Sequence, residues 1–288
     1  ETEKWLDILD VGNVGALNDK IDKGELINLV MISEALHEKK IAEIADKINF
    51  KDEVKLILIA GPSSSGKTTF ANRLGVQLRV NGITPIPISL DDYFVNRDQT
   101  PLDENGEYDY ESIYALDLKL LNKDLEELMT GTEVELPEYN FKTGKREWNG
   151  YKVKMPQNGV LILEGIHGLN PKLIYDDLRK SVFKIYISAL TQLNIDNHNR
   201  ISTTDSRKVR RIVRDSLSRG YGAEDTLKMW SSIKRGEKRN IFVYQEEADA
   251  TFNSTLVYEL GVLKPYALKE LEKVPQESEV YAEARRLK

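Results

Sequence analysis

A glycine-rich loop behind a short apolar run is the feature that most restricts how this chain can fold. Residues 61–68 read GPSSSGKT and match the pattern G-x-x-x-x-G-K-[ST]. The run Val54–Ala60 predicts a buried strand before the loop, and Thr68–Arg79 predicts a helix after it. A strand, a loop of this composition and a helix, in this order, form a unit that binds phosphate groups. The alternative is a loop that only caps the helix.

The residue types in this loop have direct chemical reasons. Glycines let backbone N–H groups turn toward phosphate oxygens, and the following helix adds unpaired N–H groups and the positive end of its dipole. Lys67 would neutralise the β- and γ-phosphates, and the Thr68 hydroxyl would bind magnesium. We therefore predict ATP and Mg²⁺ as cofactors. The predicted ATP-binding residues of the loop are Gly61, Pro62, Ser63, Ser64, Ser65, Gly66, Lys67 and Thr68.

Strand-like and helix-like segments alternate along the rest of the chain. Further strands are predicted at Thr84–Leu90, Val160–Leu163, Phe183–Ile187 and Ala250–Phe252. Further helices are predicted at Leu116–Met129, Ser206–Ser218 and Leu256–Leu271, and within residues 1–50. Prolines place the start of the strand Thr84–Leu90 at a sheet edge or a bend. The alternation predicts an α/β fold of P-loop NTPase type, with a parallel sheet, helices on both faces and a small helical N-terminal region.

Acidic side chains follow two of the predicted strands. Asp91 and Asp92 come directly after the second strand, and Glu164 ends the strand that follows the hairpin. Because ligands bind beyond the carboxyl ends of parallel strands, Asp91 could accept the proton of an attacking hydroxyl, and Glu164 could hold magnesium. The alternatives are a turn or N-cap aspartate and a solvated strand end. His167 either lines the same site or has a structural role.

Arginines share one face of the predicted helix Ser206–Ser218. They occupy positions i, i+3, i+4 and i+7, and one more follows the helix: Arg207, Arg210, Arg211, Arg214 and Arg219. Like charges on one face repel each other, so an anion such as ATP would stabilise them. The alternative is a solvated face that pairs with acids elsewhere. A second basic stretch, residues 234–239, predicts a solvated loop.

A predicted hairpin, residues 132–156, contains several aromatic side chains. Its turn is KTGK at residues 142–145, and its aromatic residues are Tyr139, Phe141, Trp148 and Tyr151. These rings could stack on a planar base, or they could be packing residues.

Together these motifs resemble the uridine kinase and phosphoribulokinase family of P-loop kinases, which are nucleoside- and nucleotide-kinase-like in fold. The resemblance covers residues 54–265 and has the order and spacing of uridine–cytidine kinases. Its segments are GPSSSGKTT at 61–69, SLDDYF at 89–94, PEYNF at 137–141, LEGI at 163–166 and RRIVRD at 210–215.

The resemblance implies roles for individual residues. Asp91 would be the general base and Lys67 the other catalytic residue, and Thr69 would join the ATP-binding loop. The predicted metal ligands are Thr68, Asp91 and Glu164. The predicted residues of an arginine lid over the phosphates, within residues 206–220, are Arg210, Arg211, Arg214 and Arg219. The predicted acceptor-binding residues are Asp91, Tyr93, Tyr139, Phe141 and His167.

One departure from the family pattern concerns the acceptor. Uridine kinases carry a base-contacting histidine just after the Tyr-x-Phe motif, but Gly144 stands near that place here and the hairpin has no histidine.

The two ends of the resemblance set the expected domain organisation. Residues 1–50 resemble the segment before the kinase in a longer bacterial variant with a threonyl-tRNA-synthetase-like N-terminal part. A start at Glu1 rather than Met fits a piece of such a chain. We divide the chain into a helical region, 1–50, and a kinase domain, 51–288, with the hairpin insertion and the arginine lid.

The expected function is transfer of the γ-phosphoryl group of ATP to a hydroxyl of a small metabolite. The 5′-hydroxyl of a nucleoside such as uridine or cytidine is the favoured acceptor. One alternative is a kinase for a sugar phosphate or a pantothenate-like acceptor. Another is a nucleotide-binding regulatory module, which would have no use for a base at Asp91.

Composition restricts the partners. The net charge of −6 argues against nucleic acid and anionic membranes, and the absence of cysteine excludes disulfides and thiolate metal sites. No apolar run approaches the length of a membrane span. We expect a cytoplasmic protein with a small-molecule acceptor as its partner, and homo-oligomers are compatible with the sequence.

Overall fold

The computed structural model describes residues 2–51, 53–104, 106–196 and 198–288. Its α-helices are α1 Thr2–Leu9, α2 Val14–Asp22, α3 Leu26–Phe50, α4 Lys67–Val80, α5 Leu118–Met129, α6 Thr203–Arg214, α7 Ala223–Asn240, α8 Glu259–Leu271 and α9 Tyr281–Leu287. Its strands are β1 Leu56–Ala60, β2 Thr84–Ser89, β3 Glu133–Glu135, β4 Glu138–Asn140, β5 Lys145–Glu147, β6 Lys152–Lys154, β7 Gly159–Glu164, β8 Val182–Ser188 and β9 Ala250–Asn253.

A parallel sheet in the order β2-β7-β1-β8-β9 forms the centre of the fold. Strand β1 lies in the middle, and its side chains are buried on both faces, which explains its uninterrupted apolar sequence. The proline-containing strand β2 lies at an edge, as predicted, because proline cannot donate a ladder hydrogen bond. The prediction of a P-loop-type parallel sheet is confirmed.

The two faces of β1 belong to different hydrophobic clusters. Leu56 and Leu58 pack with the apolar face of α5 on one side of the sheet. Ile57 and Ile59 pack with α3 and α4 on the other side. Because side chains alternate along a strand, one sheet is covered on both faces.

The N-terminal helices are continuous with this core. Ile41, Ile44 and Ile48 of α3 are buried in the same cluster as β1, β8 and α4. Helices α1 and α2 form a smaller cluster that includes Leu17 and Val257. The helical character predicted for residues 1–50 is confirmed over the described part, 2–50, whereas a domain boundary at residue 50 stays a prediction.

One segment differs from its predicted structure. Residues 234–239 lie in the last turns of α7 and not in a solvated loop. Trp230, Ile233 and Glu237 are buried on one side of this helix, while Lys234 and Lys238 are exposed on the other. Four basic residues in a short stretch masked this amphipathic pattern.

The hairpin insertion has the predicted antiparallel form. Its outer strands β3 and β6 pair through Val134 and Val153, and its inner strands β4 and β5 pair through Tyr139 and Arg146. The inner strands carry the tip of the hairpin toward the loop that follows β2.

Candidate functional site

The phosphate loop joins β1 to α4 at the carboxyl edge of the sheet. A Cβ atom on Gly61 would lie 2.3 Å from the Ile187 carbonyl oxygen, so only glycine fits where the loop leaves β1. Ser64 and Gly66 have φ angles of 60° and 87°, in the left-handed region. These two positions curl the loop into the concave shape that collects backbone N–H groups.

Polar groups of the loop are arranged for an anion. The Lys67 ammonium donates to the carbonyl oxygens of Gly61 and Pro62 at 3.0 and 3.3 Å, so it lies across the loop. The hydroxyls of Ser64 and Ser65 are buried and find no hydrogen-bond partner within the described residues. Buried hydroxyl groups of this kind are available to phosphate oxygens, so the loop fits a triphosphate.

The Lys67 ammonium also lies near two acids at the sheet edge. Burial lowers the pKa of Lys67, and the negative charges of Glu164 and Asp91 oppose this effect. The register aligns Glu164 with Ile59 of β1 and with Ser89 of β2, which brings the ends of three strands together. The carboxylates predicted from the strand ends are therefore gathered around the phosphate loop.

Oxygen atoms suited to magnesium meet at the start of α4. The Thr68 hydroxyl donates to Glu164 Oε1 at 2.7 Å. Burial raises the pKa of Glu164, while Lys67 and the Thr68 hydroxyl favour its charged form. Magnesium takes hard oxygen ligands, usually one or two from protein and the rest from water and phosphate, so Thr68 and Glu164 could hold it. No cluster of three or more His, Asp or Glu side chains that could hold a metal occurs in the described ranges.

Asp91 and Asp92 have different surroundings in the short 3₁₀ turn Leu90–Tyr93. Asp92 accepts the backbone N–H of Tyr139 at 3.1 Å and so anchors the hairpin. Burial raises the pKa of Asp92. Asp91 is half-buried, and its Oδ2 lies 4.0 Å from Arg219. Asp91 therefore faces the loop and the arginines, whereas Asp92 has a structural partner.

The predicted arginine face packs against the outside of the phosphate loop. Arg210 reaches the Ser64 carbonyl oxygen at 3.4 Å, and Arg211 donates to the Ser63 hydroxyl. Two acids pair with the arginines of this face. Glu259 of α8 pairs with Arg210, and Asp215, directly after α6, pairs with Arg211 and Arg214. The face is thus not simply solvated, and its charges are balanced by acids as well as directed at the loop.

A buried ion pair holds both backbone polar groups of Ser63 in the loop. The Ser63 N–H donates to Glu237 Oε1 at 2.8 Å, and Arg207 Nε donates to the Ser63 carbonyl oxygen at 2.8 Å. Arg207 and Glu237 also pair with each other, and Arg207 lies 5.4 Å from the centre of the Trp230 ring. Helix α7 therefore orients the Pro62–Ser63 peptide through Glu237, and α6 orients the next peptide through Arg207.

Replacing Glu237 by Gln is expected to lower the free energy of unfolding by about 2 kcal/mol. The amide oxygen can still accept from Ser63, but it leaves the buried charge of Arg207 unbalanced. The measurement is urea unfolding followed by circular dichroism. Glu246→Gln, at an exposed position, is the matched control and should change stability little. Equal stability of the two variants would contradict a structural role for the pair.

A cavity of about 740 Å³ lies between the hairpin and the end of the arginine helix. Tyr139 and Phe141 line it, with their rings 5.2 Å apart and edge to face, and their contact with an acceptor stays a prediction. Arg219 lies 4.9 Å over the Phe141 ring and belongs to the same wall. Since Arg219 also approaches Asp91, it connects this cavity with the predicted base.

Two residues predicted to bind the acceptor lie elsewhere. Tyr93 is fully buried in the core, and its hydroxyl donates to Asp124 at 3.0 Å, so it cannot contact a bound acceptor. The 3₁₀ turn rotates its side chain inward. His167 is also buried, and burial lowers its pKa to about 4, so the imidazole is neutral near pH 7. Its burial fits the structural alternative.

Sequence reasoning missed a buried carboxylate at the site. Burial raises the pKa of Glu111 to about 7; Glu237 adds to this effect, while Arg211 and Lys67 oppose it. Glu111 packs where a Cβ atom on Gly236 would clash with it. No motif marks Glu111, and the basic stretch around Glu237 concealed that residue too. The one sequence signal that could have indicated Glu237 is the helical spacing of apolar residues along 223–240, which places Glu237 on the same face as Trp230 and Ile233.

Comparison with known proteins places these residues in a wider context. The model of the phosphoribulokinase/uridine kinase family matches residues 56–259, which include the phosphate loop, Asp91, Glu164 and the arginine helix. A uridine kinase of Staphylococcus aureus (strain JH9) is 28% identical over 180 residues, which are 62% of this chain and 77% of the relative. The same figures hold for the uridine kinase of strain Newman.

One solved structure supports the fold independently. It comes from Silicibacter sp. TM1040 and is described as a fructose transport system kinase. It superposes with a TM-score of 0.54 at 16% identity, over 74% of this chain and 98% of that chain. At this identity the likeness bears on the fold alone.

Proposed function

Because this chain belongs to the phosphoribulokinase/uridine kinase family, we propose that it transfers the γ-phosphoryl group of ATP to a hydroxyl of a small metabolite, with the 5′-hydroxyl of uridine or cytidine as the first candidate. In this proposal the phosphate loop from Gly61 to Thr69 binds ATP. Thr68 and Glu164 hold Mg²⁺, with Asp91 near enough to assist. Magnesium would neutralise charge on the phosphates, while Lys67 and the lid arginines stabilise the charge that develops during transfer.

The position of Asp91 carries the proposal. Its carboxylate lies at the sheet edge beside Lys67, and Arg219 connects it with the cavity that contains Tyr139 and Phe141. An acceptor in that cavity could present a hydroxyl to Asp91, which would take its proton as the oxygen attacks the γ-phosphorus. A regulatory nucleotide switch needs no such base, so the arrangement favours a kinase.

An anionic acceptor is the second candidate, and one observation favours it. Gly144 has no side chain, and the guanidinium of Arg97 occupies the space beside it. A Cβ atom on Gly144 would lie 2.7 Å from Arg97 Nε. Arg97 also donates to the Phe141 carbonyl oxygen at 2.7 Å. Lys142 and Arg219 line the same cavity. Three cations, partly balanced by glutamates, could bind a phosphate or carboxylate on the acceptor.

A panel of acceptors is the test. ADP release should be measured with uridine, cytidine, ribulose 5-phosphate and pantothenate, in the presence of ATP and Mg²⁺. We expect turnover with a nucleoside, and because the ribose and base are neutral we expect Arg97→Gln to lower it less than it would lower turnover of a charged acceptor. Turnover only with a charged acceptor, lost by about tenfold in Arg97→Gln, would establish the second candidate instead. ATP binding without turnover of any acceptor would favour a regulatory module.

Several expectations about the cellular context stay predictions. Within the described ranges, no helix is both long enough and apolar enough to cross a bilayer. The cytoplasmic location, the absence of nucleic-acid and membrane partners, a homo-oligomeric state and a threonyl-tRNA-synthetase-like upstream part all remain to be tested.

A further inference from the structure

A second cavity, of about 410 Å³, opens directly from the phosphate loop. Lys67, Thr68 and Thr69 line its mouth, so a triphosphate on the loop would direct its nucleoside into this space. The volume is in the range of small-ligand pockets. The rest of the lining is largely apolar, with Phe252 from β9 and Val262 from α8 among its residues.

Helix α3 supplies another wall of this cavity. His37 and Ile41 of α3 line it, and both side chains are buried. The His37 ring meets the Phe252 ring edge to face at 5.1 Å, and Phe252 in turn contacts Phe70 at 4.8 Å. A row of three packed rings therefore connects α3 with β9 and α4.

Polar contacts tie α3 to the other walls. Glu34 forms an ion pair with Arg73 of α4 at 2.7 Å. It also accepts a hydrogen bond of 2.5 Å from the hydroxyl of Tyr258, the residue before α8. Glu38 also pairs with Arg73. Arg73 and Tyr258 both line the cavity. Helix α3 is thus held in place from two sides of the cavity and is not a loosely attached appendage.

We propose that α3 forms part of the nucleotide-base site, with His37 contacting the base of bound ATP. This inference rests on the proposed binding of ATP to the phosphate loop. It assigns a role to a helix that precedes the family-matched residues 56–259. The binding site for the nucleotide is accordingly completed by a segment outside the kinase region itself.

The chemistry of the wall suits a planar base. Aromatic and apolar side chains stack on any base because every base has a π-face. Burial lowers the pKa of His37, and the positive charge of Arg73 acts in the same direction, whereas Glu34 opposes it. A neutral imidazole can pack on the base without requiring a counter-charge.

The test measures the contribution of the base to binding separately from that of the phosphates. The full chain should be titrated calorimetrically with MgATP and with magnesium tripolyphosphate, which lacks a nucleoside. We expect His37→Ala to weaken ATP binding by about tenfold and to leave tripolyphosphate binding unchanged, because only the stacking surface is lost. Val262→Trp, at a partly exposed rim position, should also weaken ATP selectively by filling the cavity. Met31→Ala, exposed on the same helix, is the matched control.

The outcomes distinguish two failures. Normal ATP binding by His37→Ala and Val262→Trp would overturn the role of α3 while leaving the kinase proposal intact. Equal weakening of ATP and tripolyphosphate would also overturn it, since the defect would then lie at the loop. Failure of the wild-type chain to bind either ligand would overturn the proposed function together with this inference. If His37→Ala does not fold, the conservative variant His37→Gln, which also lacks the aromatic ring, takes its place in the same two titrations.

Discussion

Lys67→Ala is expected to reduce phosphoryl transfer by about 10³-fold or more. A single cation that stabilises the transferring phosphoryl group contributes at least that much in comparable P-loop enzymes. The Lys67 ammonium already lies across the loop, 3.0 Å from the Gly61 carbonyl oxygen, where it would meet the phosphates. Without it the loop retains only backbone dipoles and hydroxyl groups. The measurements are kcat for ADP release and the Kd for MgATP.

Lys55→Ala is the control for this variant. Lys55 is exposed at the opposite end of β1, so its removal deletes the same charge without touching the loop. We expect the control to retain wild-type turnover. Turnover near the wild-type rate in Lys67→Ala would mean that phosphoryl transfer takes place elsewhere in the protein.

Asp91→Asn is expected to lower transfer by about a hundredfold or more while ATP binding survives. A positioned general base contributes about 10²–10⁴-fold, and an amide keeps the size of the side chain but not its basicity. The phosphates are held by Lys67 and by the loop, so the Kd for MgATP should change little. Loss of the carboxylate also removes the charge that faces Arg219. The measurement is turnover with whichever acceptor the panel identifies.

Asp92→Asn tests whether the base is correctly assigned. The asparagine oxygen can still accept the Tyr139 N–H, so the hairpin anchor should persist and turnover should fall much less. On an extended strand, the side chains of two adjacent residues point in opposite directions. Asp91 and Asp92 lie in a 3₁₀ turn, so this rule does not explain why they differ. The difference between the two carboxylates comes instead from their partners. An inactive Asp92→Asn beside an active Asp91→Asn would reverse the assignment, and activity in both would make Glu164 the next candidate.

The amino-acid sequence by itself determined the sheet, the phosphate loop and the acids at the strand ends. These features depend on short-range patterns: apolar runs, helical spacing and the glycines of one loop. Once β1, β2 and β7 are parallel neighbours, Asp91 and Glu164 must lie at the same edge as Lys67. The hairpin and the arginine face are likewise local patterns, so their existence could be predicted.

Only the tertiary structure decided which side chains complete the site. Glu237 reaches Ser63 across 174 residues of sequence, and His37 of α3 meets Phe252 of β9, contacts that no local pattern specifies. Tyr93 turned out to be a core residue because one turn after β2 rotates it away from the cavity. Periodicity tells which face of an element is apolar, but the direction of a single side chain in a turn depends on long-range packing. The same packing buries Glu111 beside Glu237, and this burial raises its pKa.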